Sequence, residues 1–440
     1  MQARSHSVAK NIPMKLRRIG YVAMPGFNET ELCEMQAVLG IHPQNRNTIV
    51  GMTQAQVAGQ HGMTFVPDAT FADCPDLDVI VIADIPEEAQ DDVLLHDYLK
   101  HQVNKVSHVL ASDGGVMALA KAGLLSGVSA TSDDFNSSRL ANYGAVPVME
   151  RRAVKDGKFF TAGRSTGMIE AAFQVQKELR GQRFTKFAEF TLEYDPQLQF
   201  PDYRDTTQVD FADTAGPVIA VTLPDGSYIP DVMGAVEVLS AIPGATLHVV
   251  SHDMSPVQCL LGPKVTPTTR FQDCPQADFI VTGATLPQRL SDPALLAFLQ
   301  KQAPGATGLI SVCAGTLIYA AAGLLDGKTA TSNFHHTPLL KKFGVTPSGT
   351  EVVSDGKFYS AGPAVGSYEV SLRAVQDVYG VDVAAHIEHA VLQYAPNPVF
   401  GVGNPEKATG LIRLLGKYLF LPTLPIYQFF GNRGLRLMRQ

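Results

Sequence analysis

The segment KAGLLSGVSATS at residues 121–132 returns as AAGLLDGKTATS at residues 321–332. The same spacing of 200 residues carries FADCP at 71–75 onto FQDCP at 271–275. DGKFFTAG from Asp156 returns as DGKFYSAG from Asp355, one residue out of that register. Matches that hold one register from about residue 20 to residue 200 predict that one domain has been duplicated.

The duplication also predicts the domain boundaries. One domain is expected over residues 1–206 and a second over residues 207–402, each of ordinary single-domain size. The polar stretch at 202–216 is interpreted as the linker between them. Residues 403–440 have no counterpart in the repeat and are expected to form a separate C-terminal tail.

Short apolar runs alternate with segments of helical length in both halves. IGYVAM, DVIVIA and VSHVLA occur in the first half, and PVIAVTL, DFIVTG and GLISV in the second. Such runs are typical of buried parallel strands, and the segments that follow them have the length of helices. The pattern predicts two tandem flavodoxin-like, doubly wound α/β sandwich domains with mainly parallel sheets.

Composition narrows the classes of partner. The chain has 440 residues, a formal net charge of −7 and no long basic stripe in its globular part, so small molecules are expected as ligands rather than nucleic acid. Five widely spread cysteines form no CxxC pair and no Cys/His cluster, which predicts a reducing compartment and no metal site. The absence of a secretory pattern at the N-terminus and of a membrane-length apolar run predicts a cytoplasmic location.

The strongest candidate for chemistry is Cys313. It lies between an apolar run ending at Val312 and a helical segment starting near Ala314, the strand-turn-helix arrangement of a nucleophile elbow. The small residues Ala314 and Gly315 allow a tight turn, and the positive end of the helix is expected to lower the pKa of the thiol. The alternative is that Cys313 is a small buried core residue.

Two further segments are expected at the same edge of the sheet, because ligands of parallel sheets bind beyond the carboxyl ends of the strands. Asp231 follows a Pro/Gly-rich turn after one apolar run, where it is either an acid that reaches the elbow or the N-cap of its helix. Gly283 and Ala284 follow another run and resemble an oxyanion-binding turn, with N–H groups free to face a ligand.

Together these segments resemble the ThiJ/PfpI family of the class I glutamine-amidotransferase-like superfamily, most closely its isonitrile hydratase branch. The resemblance covers both halves and excludes the tail. The positions that match the acid segment and the elbow of that branch are Pro224, Asp231, Gly234, Glu237, Val238, Leu239, Val312, Cys313 and Gly315. SAGPAVGSYE from Ser360 matches a further run of the branch.

Two departures from the branch concern the site. Ala314 stands where hydratases often have threonine, and Asn333 stands where many relatives carry histidine. His335 and His336 either compensate for that histidine or are ordinary surface or loop residues. Ala314 and Asn333 are retained as candidate oxyanion or substrate contacts.

The first half diverges where the chemistry would occur. The repeat spacing places Asp113 at the cysteine position and Glu31 at the acid position. Two acids facing one pocket would share a proton or bind a cation. The alternative, which we favour at this stage, is a degenerate site that has lost its function.

The tail is basic, aromatic and apolar. Lys417, Arg433, Arg436 and Arg439 flank Leu419, Phe420, Phe429 and Phe430. This mixture suits either a membrane surface or partner groove, or packing over the protein's own domains or across a dimer. Pro422 and Pro425 predict that the tail is not one continuous helix.

The resemblance implies a cofactor-independent hydratase or lyase in which the Cys313 thiolate attacks a small electrophile, an isonitrile or a reactive carbonyl, with Asp231 as acid/base. The competing hypothesis is a small-molecule-binding or redox-sensing protein without catalysis. Because relatives commonly pair as dimers, the two fused halves are expected to form an internal pseudo-dimer.

Overall fold

The computed structural model describes residues 15–203, 209, 211, 216–405, 407–408 and 410–439, without the side chains of residues 417, 419 and 420. Most of the predicted linker lies outside the described residues.

The strands of the first half are β1 (Arg17–Ala23), β2 (Asn45–Gly51), β3 (Val57–Ala58), β4 (Thr64–Val66), β5 (Ala69–Thr70), β6 (Val79–Ile82), β7 (His108–Ser112), β8 (Ser129–Ala130), β9 (Val146–Pro147), β10 (Ala153–Asp156) and β11 (Phe159–Ala162). Its helices are α1 (Glu29–Gly40), α2 (Val93–Val103), α3 (Asp113–Lys121), α4 (Asp134–Ser137), α5 (Thr166–Arg180) and α6 (Gln182–Thr191).

The strands of the second half are β12 (Val218–Thr222), β13 (Thr246–Ser251), β14 (Val257–Gln258), β15 (Lys264–Thr266), β16 (Thr269–Arg270), β17 (Phe279–Thr282), β18 (Gly308–Val312), β19 (Thr329–Ala330), β20 (Thr346–Pro347), β21 (Val352–Asp355) and β22 (Phe358–Ala361). Its helices are α7 (Pro230–Ser240), α8 (Pro293–Gln302), α9 (Gly315–Ala321), α10 (Gly366–Tyr379) and α11 (Val381–His386). The tail forms α12 (Gly410–Phe420) and α13 (Leu424–Met438).

Each half is built around a seven-stranded sheet. The strand orders are β10-β11-β7-β6-β1-β2-β5 and β21-β22-β18-β17-β12-β13-β16, which is the same topology twice. All neighbours pair in parallel except β10 with β11 and β21 with β22. The predicted fold class is therefore confirmed. The apolar runs at β6 and β18 are fully buried, as central parallel strands require.

The two halves are joined by packing as well as by the chain. Helices α1 and α7 contact each other, and β4 pairs antiparallel with β15, with Phe65 opposite Val265. The end of the first half also reaches the second half: Glu369 accepts a hydrogen bond from the Gln197 N–H at 2.7 Å. One hydrophobic core includes buried residues of both halves. These contacts support the internal pseudo-dimer, which stays a prediction about the protein in solution.

As predicted, the tail is not one continuous helix. A three-residue turn at Leu421–Thr423, which contains Pro422, separates α12 from α13. Helix α13 packs on the second half through Gly431 and Gly434. A Cβ atom at Gly434 would lie 2.1 Å from the carbonyl oxygen of Leu290, so only glycine permits this approach. In the described part of the chain, no helix is long and apolar enough to cross a membrane.

Candidate active site

Cys313 forms a sharp turn between β18 and α9. Its φ of +58° is left-handed, a conformation that costs a non-glycine residue free energy, and its N–H donates to the Ala361 carbonyl oxygen at 2.9 Å. Gly315 follows because a Cβ atom there would lie 2.2 Å from the Thr282 carbonyl oxygen. The packing of neighbouring strands thus fixes the predicted elbow.

Asp231 reaches the elbow instead of capping its helix. Helix α7 has no side-chain N-cap hydrogen bond, and the carboxylate accepts from the Ala284 N–H and the Ala364 N–H, both at 2.9 Å. It also accepts a hydrogen bond from the Cys313 thiol. The N-cap alternative for Asp231 is therefore wrong, and the acid is aimed at the sulfur.

The Cys313 thiol lies between an acceptor and two donors. The Asn333 amide donates to Sγ at 3.0 Å, and the Ala314 N–H also hydrogen-bonds the sulfur. Ser332 donates its hydroxyl hydrogen to the Cys313 carbonyl oxygen at 2.6 Å. The sulfur can therefore give its proton to Asp231 and keep two donors that stabilise negative charge.

The acidities of the pair differ from the sequence-based expectation. Burial raises the pKa of Asp231 to about 7, although its hydrogen bonds oppose the shift. Burial and the nearby Asp231 charge raise the pKa of Cys313 well above its usual range, although the Asn333 hydrogen bond opposes that shift. The expected lowering of the thiol pKa is therefore wrong, because desolvation outweighs the end of a seven-residue helix. Near neutral pH the pair holds a thiol beside a carboxyl group that titrates in this range.

The histidines after Asn333 lie in a loop, as one alternative predicted, but His336 is buried and His335 is half-buried. Burial lowers the pKa of His336 to about 4 and that of His335 to about 3, so both are neutral. His336 Nδ1 accepts a hydrogen bond from the Asn333 amide at 2.8 Å. His336 therefore orients the amide that contacts Cys313.

Two residues at the site come from outside residues 207–402, and the sequence did not identify either of them as a site residue. Tyr427 on α13 donates to the Thr285 carbonyl oxygen at 3.1 Å, and its ring packs against that of His336 in a tilted arrangement with 4.3 Å between ring centres. Burial raises the pKa of Tyr427, and the nearby Cys313 and Asp231 add to the shift. Glu193, from the first half, accepts from the Phe334 N–H at 3.0 Å. The basic, aromatic composition of the tail was the one signal in the sequence that set Tyr427 apart.

A cavity of about 320 Å³ adjoins the site. Residues of both halves line it, among them Glu193, Ser332, Phe334 and Pro363. Burial raises the pKa of Glu193 to about 8, so this wall is largely uncharged at neutral pH. The cavity has room for a small organic molecule.

The equivalent elbow in the first half carries carboxyl groups. Asp113 has a φ of +42°, so the strained turn persists without the cysteine. Glu31 accepts from the Asp84 N–H at 2.9 Å and from the Ser112 hydroxyl at 2.6 Å. Burial and neighbouring acids raise the pKa of Glu31 to about 8 and that of Asp113 well above its usual range.

A cation does balance these acids, and the protein supplies it. Arg164 Nε contacts Asp113 Oδ2 at 3.2 Å, and Arg164 Nη2 lies 3.7 Å from Asp133 Oδ2. Asp84 accepts from the Gly114 N–H at 2.8 Å. The sequence singled out Glu31 and Asp113 but missed Asp84, Asp133 and Arg164, which carry no motif of their own.

The structure thus brings together Cys313, Asp231, Ala314 and Asn333, and separately Glu31 and Asp113. The turn at Gly283 and Ala284 needs a correction, because the Ala284 N–H donates to Asp231 and is not directed at a ligand. Gly283 leaves room for the acid, since a Cβ atom there would lie 2.8 Å from the Asp231 Cβ. The catalytic roles of all these residues stay predictions.

Comparison with known proteins gives one consistent result. The profile of the DJ-1/PfpI family matches residues 17–178 and 218–376. An isonitrile hydratase from Pseudomonas putida is 36% identical over 184 residues, covering 41% of this chain and 80% of that protein. An uncharacterized protein from Streptomyces lividans is 37% identical over 136 residues, covering 29% of this chain and 96% of that protein. The crystal structure of a ThiJ/PfpI family protein from Pseudomonas syringae aligns with a TM-score of 0.48 and 24% identity, over 52% of this chain and 98% of that one.

Proposed function

This chain belongs to the DJ-1/PfpI family, and from that premise we propose that its second half is a cysteine-dependent hydratase for a small electrophile, with isonitriles as the favoured substrates. Family membership and the likeness to an isonitrile hydratase support a cysteine-based, enzyme-like function in general. A reactive carbonyl compound is the second substrate class. The single observation that carries the proposal is the Cys313 thiol held between the Asp231 carboxylate and the Asn333 amide.

In the first step, Asp231 accepts the thiol proton as sulfur attacks the terminal carbon of the isonitrile. A C–S bond forms, and Asp231 passes the proton to the same carbon, giving an enzyme-bound thioimidate. The N–H groups of Asn333 and Ala314 stabilise the thiolate that develops during attack. Asp231 suits this relay because its pKa of about 7 lets it take and return a proton near neutral pH.

In the second step, water adds to the thioimidate. Asp231 takes a proton from the attacking water as the oxygen binds the carbon, and passes that proton to the nitrogen, which gives a tetrahedral adduct. The C–S bond then breaks, the hydroxyl proton returns by way of Asp231 to the sulfur, and an N-substituted formamide leaves. One isonitrile and one water give one formamide, so no oxidant, reductant or cofactor takes part.

The redox-sensing alternative is less well supported. Oxidation sensors depend on an accessible thiolate with a low pKa, whereas the pKa of Cys313 is raised. A thiol that loses its proton only to a neighbouring carboxylate during attack fits catalysis better than spontaneous oxidation.

The test is turnover of a small aryl isonitrile by the full chain, with the formamide detected by mass spectrometry. Cys313→Ser is expected to reduce turnover by about 10³-fold or more, because the nucleophile is lost. Cys74→Ser removes a partly exposed free cysteine far from the site and serves as the matched control. A variant at Cys313 that turns over isonitriles at the wild-type rate would refute the proposal, and so would a wild-type chain that hydrates neither isonitriles nor carbonyl compounds.

A further inference from the structure

Helix α12 presents an apolar stripe to solvent. Leu411, Leu414, Leu415 and Tyr418 follow the spacing of one helical face, and between 48% and 66% of each side chain is exposed. The opposite side rests on the first half, where a Cβ atom at Gly416 would lie 2.0 Å from the Phe190 ring. The helix is therefore held on the protein with its apolar face turned outward.

Helix α13 continues this arrangement. Its inward face carries Gly431 and Gly434, as well as the site residue Tyr427. The outward face carries Ile426 and Phe429, which are 45% and 63% exposed, and then the exposed Arg433 and Arg436. The outward surface thus changes from apolar to basic along the helix.

A basic recess lies where α13 meets the second half. A cavity of about 320 Å³ is lined by Lys342, Arg436 and Arg439, with Asp326 as the acidic residue among its lining side chains. Three cations against one carboxylate favour an anionic group in the recess, and guanidinium groups match the geometry of phosphate.

The charge of the tail is opposite to that of the whole chain. Residues 403–440 contain six basic residues and one acidic residue, whereas the chain has a net charge of −7. An anionic surface would attract the tail and repel the remainder of the protein, which fixes the orientation of binding.

We propose that the outward face of α12 and α13 docks on the surface of an anionic phospholipid bilayer. The apolar side chains enter the boundary between headgroups and acyl chains, as those of interfacial amphipathic helices do. The recess formed by Lys342, Arg436 and Arg439 receives a lipid phosphate. An exposed apolar stripe with basic flanks matches an anionic bilayer in both of its components, whereas an apolar protein groove would satisfy one of them. The proposal does not depend on the proposed catalytic function.

The experiment is flotation of the full chain with vesicles of phosphatidylcholine alone or mixed with phosphatidylglycerol. Binding is expected to the anionic vesicles and to weaken as salt is added. Leu411→Ser with Leu415→Ser is expected to weaken binding by about tenfold or more, since both side chains lose their apolar burial. Arg436→Gln with Arg439→Gln is expected to weaken it by about fivefold for each arginine on anionic vesicles.

The matched control is Val93→Ser with Leu94→Ser, which removes two equally exposed apolar residues of the first half and should leave flotation unchanged. Circular dichroism checks that every variant is folded. Absence of wild-type flotation on anionic vesicles would overturn the proposal. A dimeric mass in solution that the leucine variant converts to a monomer, without vesicle binding by the wild type, would instead assign the face to a second copy of the chain.

Discussion

The two halves share a backbone and differ in chemistry. Both elbow residues have a left-handed backbone, with φ of +58° at Cys313 and +42° at Asp113. In each half an acid on the first helix, Asp231 or Glu31, accepts a hydrogen bond from an N–H group just beyond a neighbouring strand. The strained turn therefore does not need the thiol. Strand and helix packing maintains the elbow in both halves, and the side chain at its tip sets the chemistry that the elbow can perform.

The two sites differ at several aligned positions whose side chains contact one another in the first half. In the register of the repeats, Asp84 replaces Ala284, Asp133 replaces Asn333 and Arg164 replaces Pro363. The arginine contacts both Asp113 and Asp133 and so compensates the carboxylates that stand where the second half has uncharged groups. The hypothesis of a degenerate first site stays a prediction, to which the structure adds that its acids are paired with an arginine.

The largest expected difference between the halves is in turnover. Asp231→Asn removes the proton acceptor of Cys313 and should lower kcat/KM by about 10² to 10³-fold. In the wild type, kcat/KM should fall as pH drops through about 7, because Asp231 becomes protonated, and the variant should lose this limb. The equivalent Glu31→Gln change in the first half should leave the pH profile of kcat/KM intact. A comparable loss in both variants would mean that the first site also takes part in turnover.

The second contrast is in stability. Asp113→Ala leaves the partly exposed Arg164 without its closest acceptor and the buried Asp133 N–H without its own, and should cost about 2 kcal/mol of unfolding free energy. Cys313→Ala should cost about 1 kcal/mol, because it removes one sulfur atom and leaves no unpaired charge. Both variants place alanine in a left-handed turn, so backbone strain is matched. Chemical unfolding followed by circular dichroism measures this, since the chain has no tryptophan. Equal losses would show that the arginine pair contributes nothing.

A smaller effect is expected on the pH dependence of stability. The pKa of Glu31 is raised by burial to about 8, so its protonated form is favoured in the folded chain. Protonated Glu31 contributes fully to the unfolding free energy below about pH 4, the pKa of a glutamate in the unfolded chain. This contribution is lost as the pH rises through about 8. Glu31→Gln should therefore reduce the fall in unfolding temperature between about pH 5 and about pH 8. Glu178→Gln, at an acid whose pKa is lowered, should not reduce that fall.

The smallest effect concerns the tail. Tyr427→Phe removes the hydroxyl that donates to Thr285 and should lower kcat/KM by about three- to tenfold, because one hydrogen bond beside the site is lost. Tyr418→Phe, on the exposed stripe of α12, is the control for turnover of a dissolved substrate. An unchanged kcat/KM in Tyr427→Phe would limit α13 to covering the site without positioning the substrate.

The sequence was sufficient to predict the duplication, the fold class, the elbow at Cys313 and the acid at Asp231. Repeats and strand-length apolar runs are local patterns, and parallel strands bring the residues that follow them to one edge of the sheet. These features therefore need no knowledge of side-chain packing.

The pKa values at the two elbows depend on tertiary structure, and so does the set of residues that reach the elbows from elsewhere in the chain. The pKa of Cys313 depends on how much burial opposes its donors, and that balance cannot be obtained from a helix start in the sequence. Arg164, Tyr427 and Glu193 are far in the sequence from the elbows they approach, so only folding brings them there. Local patterns predict where chemistry can occur, whereas its strength depends on groups that meet only after folding.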